Sequence, residues 1–381
     1  MKKFENALTY VEGRGIIETS VTFNERIIST KEGLAEAEKI EVPKDAIIFP
    51  GFVDQHIHGA GGFDAMDADE SALSSMAKTV AKEGTTSFLA TTMTQSKENI
   101  TKALSAIKKY REKNSDEGAR IVGVHLEGPF IAASHKGAQP LEYIAAPSVE
   151  VFDEYNKASG GAIKIVTLAP EEAGACELIS HLKDIGVVAS IGHSSAKYND
   201  VSLAVEAGAS NVTHTYNAQS ALHHREVGVV GSAMLIDELN CELIADTIHV
   251  SVPAMKVLIK NKPLGKVSLI TDAMRAKGLA DGESELGGQR VFVKGGEARL
   301  ADGTLAGSVL RMNVAVKNIV EKVGVSLTDA IDMATITPAR MIGIDSECGS
   351  IKEGKLADFA ILDKDFNVIM TVSRGKIIYQ A

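Results

Sequence analysis

Residues 51–58 read GFVDQHIH, a short apolar run that ends in two histidines separated by one residue. Successive side chains of a β-strand point to opposite faces, so His56 and His58 are predicted to point the same way. Two neutral imidazoles that converge at a strand end are a good beginning for a divalent metal site. The GAGG segment at 59–62 cannot continue the strand and is predicted to form a loop beside that site.

From this run onward, apolar stretches alternate with candidate helices such as 70–84, 96–113 and 175–186. Eight stretches are predicted to be strands: 52–58, 85–92, 119–128, 162–170, 186–194, 209–217, 241–250 and 267–274. Near-continuous apolar strands joined by helical crossovers indicate a parallel sheet that is buried on both faces. Eight strand–helix units predict an α/β fold of the (β/α)8 TIM-barrel type, with a doubly wound open sheet as the alternative on pattern alone.

The two ends of the chain have a different texture from the middle. Residues 1–50 alternate short β-like runs with turns and predict a small antiparallel unit, and residues 343–381 return to the same pattern. We expect these two segments to pair into one discontinuous β-sandwich domain beside the barrel domain at 51–342. The glycine-rich segment 278–308 predicts a loop and hairpin over one barrel end, before a helix at 312–324.

Composition excludes several classes of protein. The 381 residues carry a net charge of −10, which argues against nucleic acid or an anionic membrane as the main partner but leaves room for a small anionic substrate. No signal peptide and no apolar run of about 18 residues is evident. Three scattered cysteines without a CxxC pair suit a reducing compartment. These features predict a cytoplasmic protein.

The predicted strands carry polar residues at their carboxyl ends, where barrel enzymes place active sites. These residues are His56, His58, Glu127, His193, His214, His249 and Asp272. Each has a structural explanation when taken alone, as a core histidine or, for Asp272, a helix N-cap. Ten histidines placed at random would rarely put five at the ends of four strands. The other five are assigned structural or surface roles first, with His125 as a candidate to support the ligands: His125, His135, His181, His223 and His224.

Imidazoles and a carboxylate with an unfilled position are typical of a catalytic metal site that holds water. A bound metal lowers the pKa of its water to about 7 and can polarise a carbonyl. Asp272, beside such a metal, could accept a proton from the water and pass it to a leaving amine. This arrangement predicts that the barrel domain at 51–342 is a metal-dependent hydrolase of amides.

A set of motifs then carries a resemblance over essentially the whole chain. GFVDQHIHG, HLEGPF, IGHS, THTYNA, IHV and LITDAM occur in this order, and GSIKEGKLADFAILD closes the chain. The sequence resembles the N-acetylglucosamine-6-phosphate deacetylases of the amidohydrolase superfamily. The resemblance implies hydrolysis of N-acetylglucosamine 6-phosphate to glucosamine 6-phosphate and acetate, in amino-sugar catabolism or cell-wall recycling.

The resemblance also implies roles for the metal-site residues. Glu127, His193 and His214 match the ligands of the main metal, and Asp272 matches the catalytic acid/base. His56 and His58 match a second site, with Glu127 bridging the two. One or two divalent metals per subunit are therefore expected, zinc or iron ahead of manganese or cobalt.

Substrate contacts are implied in the same way. His249 matches a residue that contacts the sugar or its amide, and the loop from Leu305 to Ser308 matches one that lies over the acetyl group and sugar. Ala138 belongs to a second substrate loop at 136–138. The phosphate-binding segment comprises Asn217, Ala218 and Arg225; because Arg225 can come from the neighbouring subunit in the family, a homodimer is expected.

Some predictions keep an alternative. Gln139 stands where some relatives have His; an amide can still donate a hydrogen bond, so altered tuning is expected rather than lost activity. Arg225, taken alone, could be a surface residue in a salt bridge. The whole chain could be a different amidohydrolase, such as a cyclic amidase or an N-acyl-amino-acid deacylase, or a non-catalytic assembly protein of the superfamily. Dependence on substrate phosphate and the presence of bound metal would separate these alternatives.

Overall fold

The computed structural model describes residues 1–31 and 36–381. Five strands precede the histidine run: β1 (Lys2–Val11), β2 (Gly15–Phe23), β3 (Ile27–Ser29), β4 (Glu38–Lys39) and β5 (Ile47–Pro50). β1 pairs antiparallel with β2, as predicted, but parallel with β4 and β5. The unit is therefore mixed rather than purely antiparallel, and residues 32–35 of the predicted unit lie outside the described residues.

The central sheet has eight parallel strands and closes on itself. The first strand is β6 (Phe52–Ile57), and a separate short hairpin of β7 (Gly59–Ala60) and β8 (Phe63–Asp64) follows it. The other seven strands of the barrel are β9 (Thr85–Thr92), β10 (Arg120–Glu127), β11 (Ile163–Leu168), β12 (Val188–Ile191), β13 (Asn211–Val212), β14 (Asn240–Ile244) and β15 (Val267–Ile270). The seam between β6 and β15 is closed by hydrogen bonds from Asp272 N to His56 O (2.8 Å) and from His58 N to Ala273 O (2.9 Å). The predicted barrel is confirmed. The doubly wound alternative is wrong because such a sheet would leave both edges open.

Helices surround this barrel. They are α1 (Glu70–Ala81), α2 (Lys97–Lys113), α3 (Val149–Ala158), α4 (Ala175–Asp184), α5 (Tyr198–Ala207), α6 (Gly228–Leu235), α7 (Val252–Asn261), α8 (Met312–Asn318), α9 (Leu327–Ala334) and α10 (Ile336–Met341). α8 continues into a π-helical turn (Ile319–Val323), which accounts for the predicted helix at 312–324. Short 3-10 turns occupy Ala65–Asp67, Ala133–His135, Leu141–Tyr143 and Leu264–Lys266.

The first helix illustrates how the sequence specifies these elements. The Asp69 side chain caps α1 by accepting a hydrogen bond from Ser71 N, and the buried side chains recur every three or four residues. Gly84 then turns the chain into β9 with φ +87°. A Cβ at this position would lie 2.9 Å from the Phe52 ring, so both the backbone conformation and the packing require glycine.

The glycine-rich excursion after β15 is larger than the predicted hairpin. It forms a four-stranded antiparallel sheet of β16 (Gly282–Leu286), β17 (Gln289–Lys294), β18 (Glu297–Leu300) and β19 (Leu305–Ser308). The last strand returns to the barrel mouth, where Ser308 N donates to Asp272 O (2.8 Å) and Met274 N donates to Ser308 O (2.9 Å). The excursion is therefore fastened directly to the segment that carries Asp272.

The carboxyl-terminal strands join those of the amino terminus. They are β20 (Phe359–Leu362), β21 (Val368–Ser373) and β22 (Lys376–Gln380), and β20 pairs antiparallel with β5. One face of this mixed sheet has a core of its own around Phe4, Phe23 and Phe359, whose rings lie 5.0–5.4 Å apart. The expected β-domain formed by both termini is present beside the barrel, whereas its division from the barrel at residues 50/51 and 342/343 stays a prediction.

Within residues 1–31 and 36–381, no helix is both long enough and apolar enough to cross a bilayer.

Candidate metal centre and active site

Three of the predicted site residues occupy equivalent places at the carboxyl end of the barrel. His193, His214 and Asp272 each lie two residues beyond the end of their strand, β12, β13 and β15 respectively. All three have positive φ, at 48°, 31° and 46°. This left-handed conformation is uncommon for residues other than glycine and concentrates at functional sites. The same local bend of the backbone therefore occurs at the carboxyl ends of three strands of the barrel.

Glu127 is the common centre of the site. Its Oε1 lies 3.1 Å from His214 Nε2 and 3.4 Å from His193 Nε2, and those two nitrogens are 3.1 Å apart. All three side chains are nearly inaccessible to solvent. Their donor atoms converge closely enough to bind one cation.

A second set of donors lies against the first. Asp272 Oδ1 is 3.4 Å from His56 Nε2 and 3.3 Å from His58 Nε2. Glu127 reaches the same two histidines, with Oε1 at 3.3 Å from His56 Nε2 and Oε2 at 3.2 Å from His58 Nε2. Glu127 therefore contacts the histidines of both sets, and its role as a bridge between two metals stays a prediction.

The electrostatics of the cluster reflect this crowding. Burial alone would lower the pKa of His58, but Asp272 and Glu127 raise it to about 10. Burial alone would raise the pKa of Asp272, but His56 and His58 lower it to about 2. The pKa of Glu127 is held well below its usual value against the effect of burial, chiefly by His56. Both carboxylates are therefore charged, and positive charge among the histidines or on a cation is needed to balance them.

The donor set fits a divalent metal. The buried atoms His56 Nε2 and Glu127 Oε1 make no hydrogen bond, although each faces several partners from the two sets. Imidazole nitrogens and carboxylate oxygens that converge on one point are suited to zinc, iron, manganese or cobalt.

Neighbouring groups fix how the ligands are oriented. His193 Nδ1 lies 2.9 Å from His135 O, so Nδ1 carries the proton and Nε2 faces Glu127. Gln139 accepts a hydrogen bond from Thr94 N (2.8 Å) and donates one from Nε2 to Glu127 Oε2 (2.8 Å). Gln139 therefore contacts the candidate bridging carboxylate itself, and its amide orientation is set by the Thr94 N–H.

A cavity of about 350 Å³ opens above these residues. Most of the predicted substrate-binding residues line it, namely Ala138, Gln139, Asn217, Ala218, His249 and Leu305. His249 follows β14 by five residues, in a loop where its Nδ1 lies 2.6 Å from Asp246 Oδ2. His135, for which the sequence favours a structural or surface role, also lines the cavity, together with Ser134.

Two of the predicted substrate-binding residues do not line this cavity in the described chain. Ser308 is buried, and its hydroxyl donates to Thr271 O (2.5 Å), so it shapes the segment next to Asp272. Arg225 is exposed, with Nη1 2.7 Å from His224 Nε2. Its assignment to the phosphate of a second subunit stays a prediction.

Glu242 is a functional candidate that sequence reasoning misses. It lies in the middle of β14, is fully buried, and its Oε2 is 3.0 Å from His56 Nδ1. A signal is available, because a glutamate inside the apolar run from Cys241 to Ile244 must be buried with polar partners. What the sequence does not supply is the identity of those partners.

Comparisons with known proteins agree with this geometry. The model of the amidohydrolase family matches residues 47–378. The N-acetylglucosamine-6-phosphate deacetylase of Bacillus subtilis (strain 168) is 47% identical over 345 residues, which cover 90% of this chain and 87% of that protein. The N-acetylgalactosamine-6-phosphate deacetylase of Escherichia coli O157:H7 is 39% identical over 331 residues, 87% of each chain.

A solved structure extends the similarity to the whole fold. A mutant of the N-acetyl-D-glucosamine-6-phosphate deacetylase of Mycobacterium smegmatis, in complex with N-acetyl-D-glucosamine-6-phosphate, superposes with a TM-score of 0.92. The match covers 100% of this chain and 99% of that one at 28% identity.

Proposed function

The chain belongs to the amidohydrolase family, among its N-acetylglucosamine-6-phosphate deacetylases, and on that premise we propose that it hydrolyses the acetamide of N-acetyl-D-glucosamine 6-phosphate. The products are D-glucosamine 6-phosphate and acetate. One observation carries the proposal: a single cavity has two sets of metal-binding donors at its floor, joined by Glu127, with Asp272 against both histidines of the second set.

A divalent metal held by Glu127, His193 and His214, with a second one at His56, His58 and Asp272, would polarise the amide carbonyl and acidify a water molecule. Zinc or iron is expected ahead of manganese or cobalt. Asp272 accepts a proton from the attacking water at a carboxylate oxygen. It then returns that proton to the amine nitrogen as the C–N bond breaks. The C–O bond of acetate forms in place of the C–N bond.

The cavity wall supplies groups that orient the sugar. His249 donates its Nδ1 proton to Asp246 Oδ2, which leaves Nε2 to accept a hydrogen bond from a sugar hydroxyl. Leu305 and Gly307 on β19 and Ala138 on the opposite loop enclose the space above Glu127. The acetyl group would lie over the carboxylates and the ring would extend toward Asn217.

The phosphate end requires a cation that the cavity of one chain does not provide. No lysine or arginine lines it within residues 1–31 and 36–381. Asn217 and Ala218 offer backbone and amide groups there, and Arg225 lies seven residues farther along the chain with an exposed guanidinium. We infer that Arg225 of a second copy completes the site as a bidentate phosphate ligand, so that the active form is a homodimer.

The cell compartment is proposed on chemical grounds. All three cysteines, Cys176, Cys241 and Cys348, are free thiols in the described chain. Free thiols and a phosphorylated sugar substrate both suit the cytoplasm.

A second candidate substrate follows from the similarity to the E. coli protein. N-acetylgalactosamine 6-phosphate differs from the first candidate only in the configuration at C4. The name of that relative therefore favours testing both epimers.

The test measures acetate release from N-acetylglucosamine 6-phosphate, N-acetylgalactosamine 6-phosphate and unphosphorylated N-acetylglucosamine. We expect the first to be hydrolysed with the highest kcat/KM and the unphosphorylated sugar to be poor. A higher kcat/KM for N-acetylgalactosamine 6-phosphate would make that sugar the substrate in place of N-acetylglucosamine 6-phosphate. If the protein binds metal but releases acetate from none of the three sugars, it would still be an amidohydrolase, and its activity would be that of a cyclic amidase or an N-acyl-amino-acid deacylase.

A separate variant tests the assignment of Arg225 to the substrate phosphate. Arg225→Ala should raise KM for the phosphorylated sugar while hydrolysis of the unphosphorylated sugar stays as slow as before. Arg26→Ala is the matched control, since Arg26 is also exposed but pairs with Glu347 (2.7 Å), and neither residue lines the cavity. Equal KM values in Arg225→Ala and wild type would remove Arg225 from the site.

A further inference from the structure

Glu242 has an unusual set of partners for a buried carboxylate. It is fully inaccessible to solvent, and within the described residues no lysine or arginine forms an ion pair with it. Four N–H groups compensate its charge instead. Oε1 accepts from Gln55 Nε2 (2.8 Å) and Asn211 Nδ2 (3.2 Å), and Oε2 lies against His56 Nδ1 (3.0 Å) and His214 N (3.2 Å).

Two of these four donors belong to residues of the metal centre, one from each donor set. His56 belongs to the set with Asp272, and His214 belongs to the set with Glu127. Glu242 accepts the Nδ1 proton of His56, so the Nε2 lone pair must face Glu127 and Asp272. It also accepts the backbone N–H of His214, whose φ of 31° holds that side chain toward the centre.

A chain of hydrogen bonds below the centre has only one consistent direction. His125 Nδ1 lies 3.2 Å from the carbonyl oxygen of Gln55, so Nδ1 carries the proton and Nε2 accepts from Thr167 Oγ1 (2.7 Å). The remaining hydroxyls must each donate once and accept once. The order is Asn211 to Ser190 (2.9 Å), Ser190 to Thr213 (2.5 Å), Thr213 to Thr167 (2.7 Å) and Thr167 to His125.

Both ends of this chain of hydrogen bonds lead back to Glu242. Asn211 uses its second N–H for Glu242, and the Gln55 carbonyl belongs to the residue before His56. The polar interior of the barrel therefore forms a loop of directed hydrogen bonds that closes through Glu242. The orientation of each member is determined by its neighbours, which makes the loop rigid.

We propose that Glu242 is a positioning residue shared by both halves of the metal centre. It sets the tautomer and direction of His56, anchors the backbone of His214, and is itself held by Gln55 and Asn211. This inference rests on the proposed metal-dependent function but does not depend on the identity of the substrate.

The substitution Glu242→Gln tests the role because an amide cannot satisfy four donors. Whichever side its NH2 group takes, it faces two N–H groups that also donate. If it faces His56, that ring must turn its bare nitrogen toward the amide and point Nε2–H into the centre. The variant thus keeps the shape of the side chain and removes the acceptor.

The experiment titrates chelator-treated protein with Zn²⁺ alone, in competition with a chromophoric chelator. Loss of an outer hydrogen-bond partner of a ligand weakens metal affinity by about 10–100-fold, and we expect a loss of this size in Glu242→Gln. Asp358→Asn is the matched control. Asp358 is also a buried carboxylate that accepts several hydrogen bonds, but they come from Arg120, Ser373 and Arg374.

A second variant covers the case in which Glu242→Gln fails to fold. Asn211→Ala keeps the carboxylate and removes one donor to it together with the start of the hydroxyl chain, and should weaken Zn²⁺ several-fold. The ¹⁵N spectrum of the zinc-loaded wild type should show His56 protonated at Nδ1. Wild-type Zn²⁺ affinity in both variants, or in Asn211→Ala alone if the other does not fold, would overturn the proposal. If the wild-type protein binds Zn²⁺ and the variants bind it more weakly, but the wild type releases no acetate, only the proposed substrate is overturned.

Discussion

Two clusters of buried charge lie in the barrel within a few residues of each other, and they differ in how their charges are balanced. One surrounds Glu127 at the carboxyl end. The other joins Asp54, Glu83 and Lys277: Lys277 Nζ lies 2.8 Å from Glu83 Oε2, and Asp54 accepts hydrogen bonds from the hydroxyl (2.5 Å) and backbone N–H (3.3 Å) of Thr271.

The second cluster contains its own counter-ion, the ammonium group of Lys277. Lys277 is fully buried, and burial raises the pKa of Asp54 and of Glu83 while the lysine charge opposes that rise in both. Asp54 is in β6 and Thr271 follows β15, so this cluster lies at the seam where the barrel closes. The Glu127 cluster instead directs bare acceptor atoms at a common point. A buried charge with its own counter-ion supports the fold, whereas one without it prepares a site for a cation.

The largest effect is expected in the Glu127 cluster. Asp272→Asn removes the proposed proton acceptor and should lower kcat for acetate release by about 10²–10⁴-fold, while the metal expected at Glu127, His193 and His214 should remain bound. Steady-state kinetics and elemental analysis of the same protein measure both quantities. Asp184→Asn, at the exposed end of α4, is the control. A near-normal kcat would rule out Asp272 as the acid/base.

The corresponding change in the other cluster should reduce stability instead of catalysis. Lys277→Met leaves two buried carboxylates without their counter-charge, and such a loss costs about 3–5 kcal/mol in the free energy of unfolding. Urea unfolding measures it, with Lys82→Met as the exposed control. A deficit below that of the control would mean that the lysine is not what balances Asp54 and Glu83.

That deficit should depend on pH. Without Lys277, the folded-state pKa values of Asp54 and Glu83 rise further above their unfolded values of about 4. A carboxyl whose folded pKa is raised takes up a proton on folding, so stability is lost as the pH rises from about 4 through the folded pKa. The deficit of Lys277→Met should therefore shrink in mild acid and grow toward neutral pH. A pH-independent deficit would assign it to lost packing.

A smaller effect is expected at the edge of the metal cluster. Gln139→Ala removes the hydrogen bond to Glu127 Oε2 and should weaken Zn²⁺ binding by about 10-fold, since the carboxylate loses a group that orients it. Gln380→Ala, in β22 of the terminal sheet, is the control. If the two variants bind Zn²⁺ equally well, Gln139 has no part in orienting the Glu127 carboxylate.

The smallest effect is expected for a charge pair on the surface. Lys102 and Glu98 lie one helical turn apart on α2 with Nζ 2.7 Å from Oε1, and both side chains are largely exposed. Lys102→Ala should change the free energy of unfolding by less than about 0.5 kcal/mol, because solvent screens the pair. A loss comparable to that of Lys277→Met would contradict the distinction between surface and buried charge.

Much of the barrel is predictable because its signals are local. The apolar runs, the caps and the glycines that end helices each act over a few residues, and runs such as 52–58 and 85–92 coincide closely with β6 and β9. The run at 209–217 yields only the two-residue strand β13, because the chain bends at His214 to aim its side chain. The sequence predicts only a hairpin for the four-stranded excursion, since its short polar strands carry little apolar periodicity.

By itself, the sequence determined the class of fold, the residues at the strand ends and the kind of chemistry they suit, because strand alternation and ligand type are properties of short segments. Only the tertiary structure decided which groups meet. Closure of the barrel brings Gln55 to Glu242 across 187 positions of the chain, adds Asn211 to the same carboxylate, and places Gln139 on Glu127. Such partners are chosen by the geometry of a closed sheet, which no single segment contains.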